Sequence, residues 1–153
     1  MPIFNSFYLT KDRSPNPHAI RIKGPIIPVE IFLPNVLVSS IEKEGKVIPT
    51  PATGHALIDT GASISAVDQD IIQSFGINPI GSSQVHTPSG NSIQFLYSLQ
   101  FSFPGTPLPK IDFGAVLGSI LRPQGIIALF GRDILSMFVL VYNGPGGHFT
   151  LTC

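Results

Sequence analysis

Residues 56–68, ALIDTGASISAVD, place one carboxylate, Asp59, between an apolar run and a string of small, turn-forming residues. A carboxylate carried by a strand end into a loop sits where folded scaffolds present their reactive groups. Alone, it has an ordinary use, closing an Asx-turn on its own backbone. In pairs, carboxyls hydrolyse peptide bonds without a metal or a nucleophilic side chain: one takes a proton from water while the other donates one to the carbonyl oxygen. Two carboxyls held about 3 Å apart share a single proton, because both cannot ionise. This chain has one such motif, so that chemistry would need two copies of Asp59 on a two-fold axis, with the site at an isologous interface.

Other constellations carry less. His18, His55, His86 and His148 are scattered without metal-ligand spacing, and the single cysteine, Cys153, is the last residue. No metal site and no cofactor is expected from them. Asp68 and Asp70 lie at the start of a helical pattern, where the helix dipole favours acids. Ser63 and Ser65 lack the G-x-S-x-G elbow of a serine nucleophile. The glycine-rich NGPGG near the end lacks the lysine and following helix of a phosphate loop and reads as a turn.

Stepping outward, residues 1–19 contain Pro2, Pro15 and Pro17 and read as an arm ordered by docking on the domain or on a second subunit. Residues 20–153 read as a single domain. AIRIKGPIIPVEIFLP is strand-like, a pair bent at Gly24 and Pro25, and EKEGK is a loop. VIPTPATGHALI rises as a strand into the Asp59 turn. AVDQDIIQSFG spaces Val67, Ile71, Ile72 and Phe75 helically, with Asp68 as N-cap and Gly76 at the C-terminal stop. Residues 81–104 form a long hairpin turned by TPSGN. IDFGAVLGSI is a bent strand or strand pair, PQGIIALFG a buried strand, RDILSMF a second short helix, and VLVYNGPGGHFTLTC a closing hairpin. The expectation is a compact, mostly antiparallel β domain with two small helices.

Three features recur in order: Leu57 and Ile58 before Asp-Thr-Gly-Ala-Ser, a Gly/Pro-tipped hairpin some 25 residues on, and an apolar strand ending in LFGRD before a helix. In these the chain resembles the retropepsin-like aspartic proteases over roughly residues 24–152. The resemblance implies an all-β, closed, barrel-like acid-protease fold with one or two short helices and a flap hairpin. It implies an aspartic endopeptidase, a hydrolase acting as a homodimer on peptide or unfolded protein, in which Asp59 matches the catalytic aspartate. Thr60 and Gly61 match the residues that hold the two active-site loops together, and Ala62 and Ser63 extend the loop along the substrate. His86, Thr87, Pro88, Ser89 and Gly90 fall at the flap tip. Leu129, Phe130, Gly131 and Arg132 match the segment packed beneath the aspartate loop. Retroviral members commonly carry an acid at the position of Ser63 that pairs with the arginine of GRD; here there is none, which leaves the partner of Arg132 open. The closing hairpin at 139–152 also differs from the single interleaved strands of retroviral termini and is the candidate dimer contact.

Composition bounds the alternatives. At 153 residues the chain can bury a full core without disulfides. Nine Lys and Arg balance nine Asp and Glu, giving no electrostatic footprint for nucleic acid. Fifteen glycines and fifteen prolines suit short strands joined by tight turns. The longest apolar stretch, IIALFGRDILSMFVLVY, is broken by Arg132 and Asp133, so it reads as core and no membrane partner is expected. No leader is recognisable, which points to the cytoplasm. The competing function is a catalytically inactive peptide- or protein-binding domain that keeps the retropepsin fold; a third is one lobe of an assembly whose second aspartate comes from a different chain.

Overall fold

The computed structural model describes residues 1–87 and 90–153. Alternating apolar residues build its strands. In β2 (Ile26–Phe32) Ile27, Val29 and Ile31 are buried while their neighbours are half-exposed. β3 (Ala52–Ile58), β4 (Ala66–Asp68), β5 (Gly81–Thr87), β6 (Gly90–Ser102), β7 (Ile111–Ser119) and β8 (Ala128–Phe130) complete one sheet in the order β2-β3-β8-β4-β7-β6-β5. A further pairing of β2 with β6, Glu30 opposite Ser102 through Phe32 opposite Gln100, joins its ends. Six strands therefore form a closed ring, and β5 hangs from β6 as the outer arm of a hairpin. This is the closed, mostly β architecture with a flap hairpin that the resemblance implies. Since β6 reaches β2 only at residues 30–32, the stretch before it keeps a free edge, where Pro28 costs no ladder bond. Two contacts, β3 with β8 and β4 with β7, are parallel, so the barrel is more mixed than the expected antiparallel pattern. Phe101 and Phe103 pack edge-on against Phe130 in its centre.

A second, three-stranded sheet stands beside the barrel, with β1 (Ile3–Phe7), β10 (His148–Thr152) and β9 (Val139–Asn143) in that order. The first residues are thus built into the fold: Ile3 faces Thr152 and Phe7 faces His148. Tyr8 continues the attachment, its hydroxyl donating to the Gly24 carbonyl at 2.7 Å and accepting the Ile26 N–H.

Among the described residues there are four short α-helices, two more than the sequence reading supplied: α1 (Pro17–Lys23), α2 (Asn35–Lys43), α3 (Gln69–Phe75) and α4 (Arg132–Leu135). AIRIK is helix, not strand. Asn16 caps it by accepting the Ala19 N–H, Pro17 opens it, and only Ile20 is buried while Ile22 faces solvent. The boundary expected between residues 19 and 20 falls inside this helix. α2 replaces part of an expected strand and loop; it begins without a side-chain cap and packs Leu37, Val38 and Ile41 on the core. α3 has the anticipated ends, Asp68 accepting the Asp70 N–H and Gly76 left-handed at φ 65°. IDFGAVLGSI is one strand, and a 3-10 turn at Arg122–Gln124 shortens the expected strand after it to Ala128–Phe130. Among the described residues no helix is long and apolar enough to cross a membrane.

Candidate active site

Asp59 leaves the end of β3 half-buried, its N–H held by the Phe130 carbonyl at 2.9 Å. Its Oδ1 accepts the Gly61 N–H at 2.8 Å, the Asx-turn use of this side chain. A Cβ on Gly61 would stand 3.0 Å from that oxygen, and glycine is what lets the backbone come so near. Thr60 and Gly61 are exposed, and Oδ2 of Asp59 has no hydrogen bond within the chain among the described residues. One carboxylate oxygen is thus held by the backbone of its own loop.

The loop is held from below by β8 and α4. Leu129 and Phe130 run parallel to Leu57 and Ile58 in the ladder. Gly131 then crosses the chain so closely that a Cβ would lie 2.9 Å from the Ile64 carbonyl carbon and 3.0 Å from the Ala62 oxygen. Arg132 donates its N–H to the Ala62 carbonyl at 2.9 Å and its Nη1 to the Thr60 carbonyl at 2.8 Å. The partner of Arg132 is therefore a backbone oxygen, which is why no acid is needed at Ser63. Within the chain Thr60 contributes this carbonyl; its hydroxyl makes no hydrogen bond among the described residues.

Two groups that the sequence does not join by spacing, Ser65 and Asp133, complete the support. Ser65, wholly buried, donates Oγ–H to Asp133 Oδ1 at 2.6 Å and N–H to Oδ2 at 2.8 Å, and its Oγ accepts the Gly131 N–H. Ser65 and Asp133 lie 68 residues apart, and no local spacing announces the pair. Asp68 caps α3 as expected but does more. Its Oδ2 takes the N–H groups of Leu121 and Arg122, and the Arg122 guanidinium stands 3.3 Å from Oδ1. Burial alone would raise the Asp68 carboxyl; these donors, the Asp70 N–H and the Arg122 charge outweigh it and hold the group below its ordinary value.

Above the loop, a cleft of about 330 Å³ is lined by Gly61, Ala62, Ser63 and Ile64 on one side and Gln84, Val85 and His86 of β5 on the other, with Leu117 between. The structure thus brings the Asp59 turn and the hairpin to one opening. His86 meets Asn91 across the hairpin, Nδ1 to Oδ1 at 2.6 Å, and Gly90 opens β6 at φ 126°. Of the expected tip, Pro88, Ser89 and the Thr87 side chain lie outside the described residues. A larger cavity, about 850 Å³ between α2 and the end of α3, shares no residue with the Asp59 loop. Among the described residues no three of His, Cys, Asp or Glu converge as metal ligands.

No protein-family model matches the chain, and no curated protein matches it by sequence. Among solved structures it is similar to the protease of simian foamy virus, with a TM-score of 0.45 and 20% identity over 73% of this chain and 92% of that one. It is also similar to a retropepsin-like aspartic protease from Rickettsia conorii, with a TM-score of 0.48 and 15% identity over 97% of this chain and 90% of the other.

Proposed function

We propose that this chain is an aspartic endopeptidase whose active unit is a homodimer, with Asp59 of one subunit acting as general base toward water and Asp59 of the other as general acid toward the scissile carbonyl. The observation that carries the reading is the Asp59 carboxylate held by the Gly61 N–H on a clamped loop whose next residues, Gly61 to Ile64, line a cleft together with β5. A dyad needs carboxyls that do not wander, and the Gly61 N–H together with the Gly131–Arg132 crossing restrains this one. In this reading Thr60 and Gly61 shape the turn, and Ala62 and Ser63 offer backbone to an extended peptide. The hairpin residues His86 to Gly90 close over that peptide, excluding water. Leu129 to Arg132 keep the loop in place.

The test is cleavage of an unstructured peptide library by wild type and by Asp59→Asn. Wild type is expected to cleave and the variant to lose about 10²–10⁴-fold or more of the rate, since it removes a proton-transfer group while keeping the side-chain shape. Binding of peptides by both proteins with cleavage by neither would replace the enzyme by a peptide-binding domain.

A further inference from the structure

We propose that the cavity of about 850 Å³ between α2 and the end of α3 binds a small amine, a molecule with an apolar body and one cationic nitrogen, which sets its charge against Asp112 and its body among the aliphatic side chains around it. The site shares no residue with the Asp59 loop, and the proposal stands whether or not the chain cleaves peptides.

The cavity is framed by segments that hold their shape. Pro34 precedes α2 and Pro49 closes the stretch that follows it; both line the cavity, each with φ fixed by its ring. Leu37 and Ile41 of α2 pack on the core, and so does Ile77 beyond α3, so the two walls are anchored from behind. The volume falls within the roughly 300–1,000 Å³ of clefts that enclose a small molecule and bury most of its surface.

Much of the lining is aliphatic and uncovered. Val36 is 80%, Val47 92% and Ile80 62% exposed, and all three line this one cavity. Single exposed aliphatic side chains are ordinary on protein surfaces. Three that converge on a concave site offer apolar area for the body of an occupant to cover.

Charge selects the head group. Glu44, Lys46 and Asp112 are the charged residues of the lining, and Glu44 and Lys46 pair with each other. Asp112 has no ion pair among the described residues. Its Oδ1 accepts the Gln100 Nε2–H at 2.9 Å, which leaves the second oxygen for another donor. The lining thus holds one carboxylate without a cation, and an anionic ligand would meet that charge as well as Glu44. Ser98 and Asn78 line the same cavity with side chains that make no hydrogen bond among the described residues, so they can accept from the remaining N–H groups of an ammonium. Ser98 is there because the ladder of β6 with β7 slips between Tyr97 and Leu99, which leaves it opposite no residue of β7.

The experiment titrates phenylbutylamine, phenylbutyrate and phenylbutanol, which share a body and differ in charge, into wild type, Asp112→Asn, Ser40→Trp and Asp59→Asn. Amide chemical shifts report both affinity and place, and circular dichroism checks that each variant is folded. The amine should bind wild type at least about fivefold more tightly than the alcohol or the acid, with shifts centred on α2 and residues 74–80. Asp112→Asn, which keeps the shape and removes the charge, should bring the amine down to the level of the alcohol, while Asp59→Asn leaves its binding unchanged. Ser40→Trp, which adds an indole to the lining from the exposed face of α2, should abolish binding, and it decides the matter with the three compounds if Asp112→Asn does not fold. Equal binding of the three compounds, shifts centred on the Asp59 loop, undiminished binding by Ser40→Trp, or no saturable binding of the amine would overturn the proposal. Self-association of wild type that Ser40→Trp abolishes, with no binding of the amine, would overturn it in favour of a second copy of the chain.

Discussion

Asp68 shows how one buried acid can serve two elements. Its Oδ1 caps α3 while its Oδ2 gathers the N–H groups of Leu121 and Arg122, more than fifty residues on, so it pins the exit of β7 to the start of a helix. Because its folded pKa is depressed below the ordinary 3.8, the stability it contributes is complete above that value and is lost as pH falls through the folded pKa. Wild type should therefore unfold at lower urea at pH 3 than at pH 7 by a margin that Asp68→Asn removes. At pH 7 the same variant should cost about 2–4 kcal/mol, since three backbone donors and Arg122 lose a charged acceptor. An Asn variant as stable as wild type at pH 7 would show that the carboxylate's charge adds nothing. The helix cap was readable from Asp68, its spacing and Gly76; the bonds to residues 121 and 122 were not, because nothing in a linear pattern tells which distant turn will meet a capping oxygen.

At the scale of elements, the crossing of β8 into α4 under the Asp59 loop has almost no slack. Gly131→Ala would push a methyl against the backbone of Ala62 and Ile64, atoms that cannot rotate away, and should destabilise the protein by about 1–3 kcal/mol, read as a lower denaturant midpoint. Under the proposed function it should also slow cleavage, because the strained crossing moves the turn that carries Asp59. The strand-turn-strand logic of this region, the long hairpin and α3 were legible, since alternation, turn residues and caps agreed with one another there. α1 was misread because Ala19 to Lys23 alternate as a strand would, and the Asn16-Pro17 start signal outweighed that alternation. α2 was missed for the opposite reason: it has no capping side chain, and its half-buried Leu37, Val38 and Ile41 gain their helical setting from packing. Ser65 and Asp133 escaped notice because each has a plausible local use, a loop serine and a helix-opening acid, and only the fold makes them partners.

For the whole molecule, the amino-terminal strand is part of the structure that holds the site. Removing residues 1–8 would strip β10 of a neighbour, expose Phe149 from beneath Phe4, and release the Tyr8 bonds to Gly24 and Ile26. A loss of about 2–5 kcal/mol and a marked tendency to aggregate through the bared β10 edge are expected, measured by thermal unfolding and light scattering. If the truncated chain melts where the full chain does, β1 is ornament and the small sheet stands without it. The barrel itself carries a last consequence. β6 is one continuous strand of 13 residues: its first half pairs with β5 over the cleft, its final three residues stitch the ring shut against β2, and the register slips between Tyr97 and Leu99. The hairpin is accordingly a cantilever clamped first by β7, from Leu96 to Phe101, and then by β2 at the seam of the barrel, with the ladder slipping at its base. Under the proposed function, the load of a closed hairpin on bound peptide would be borne by the same piece of chain that shuts the barrel.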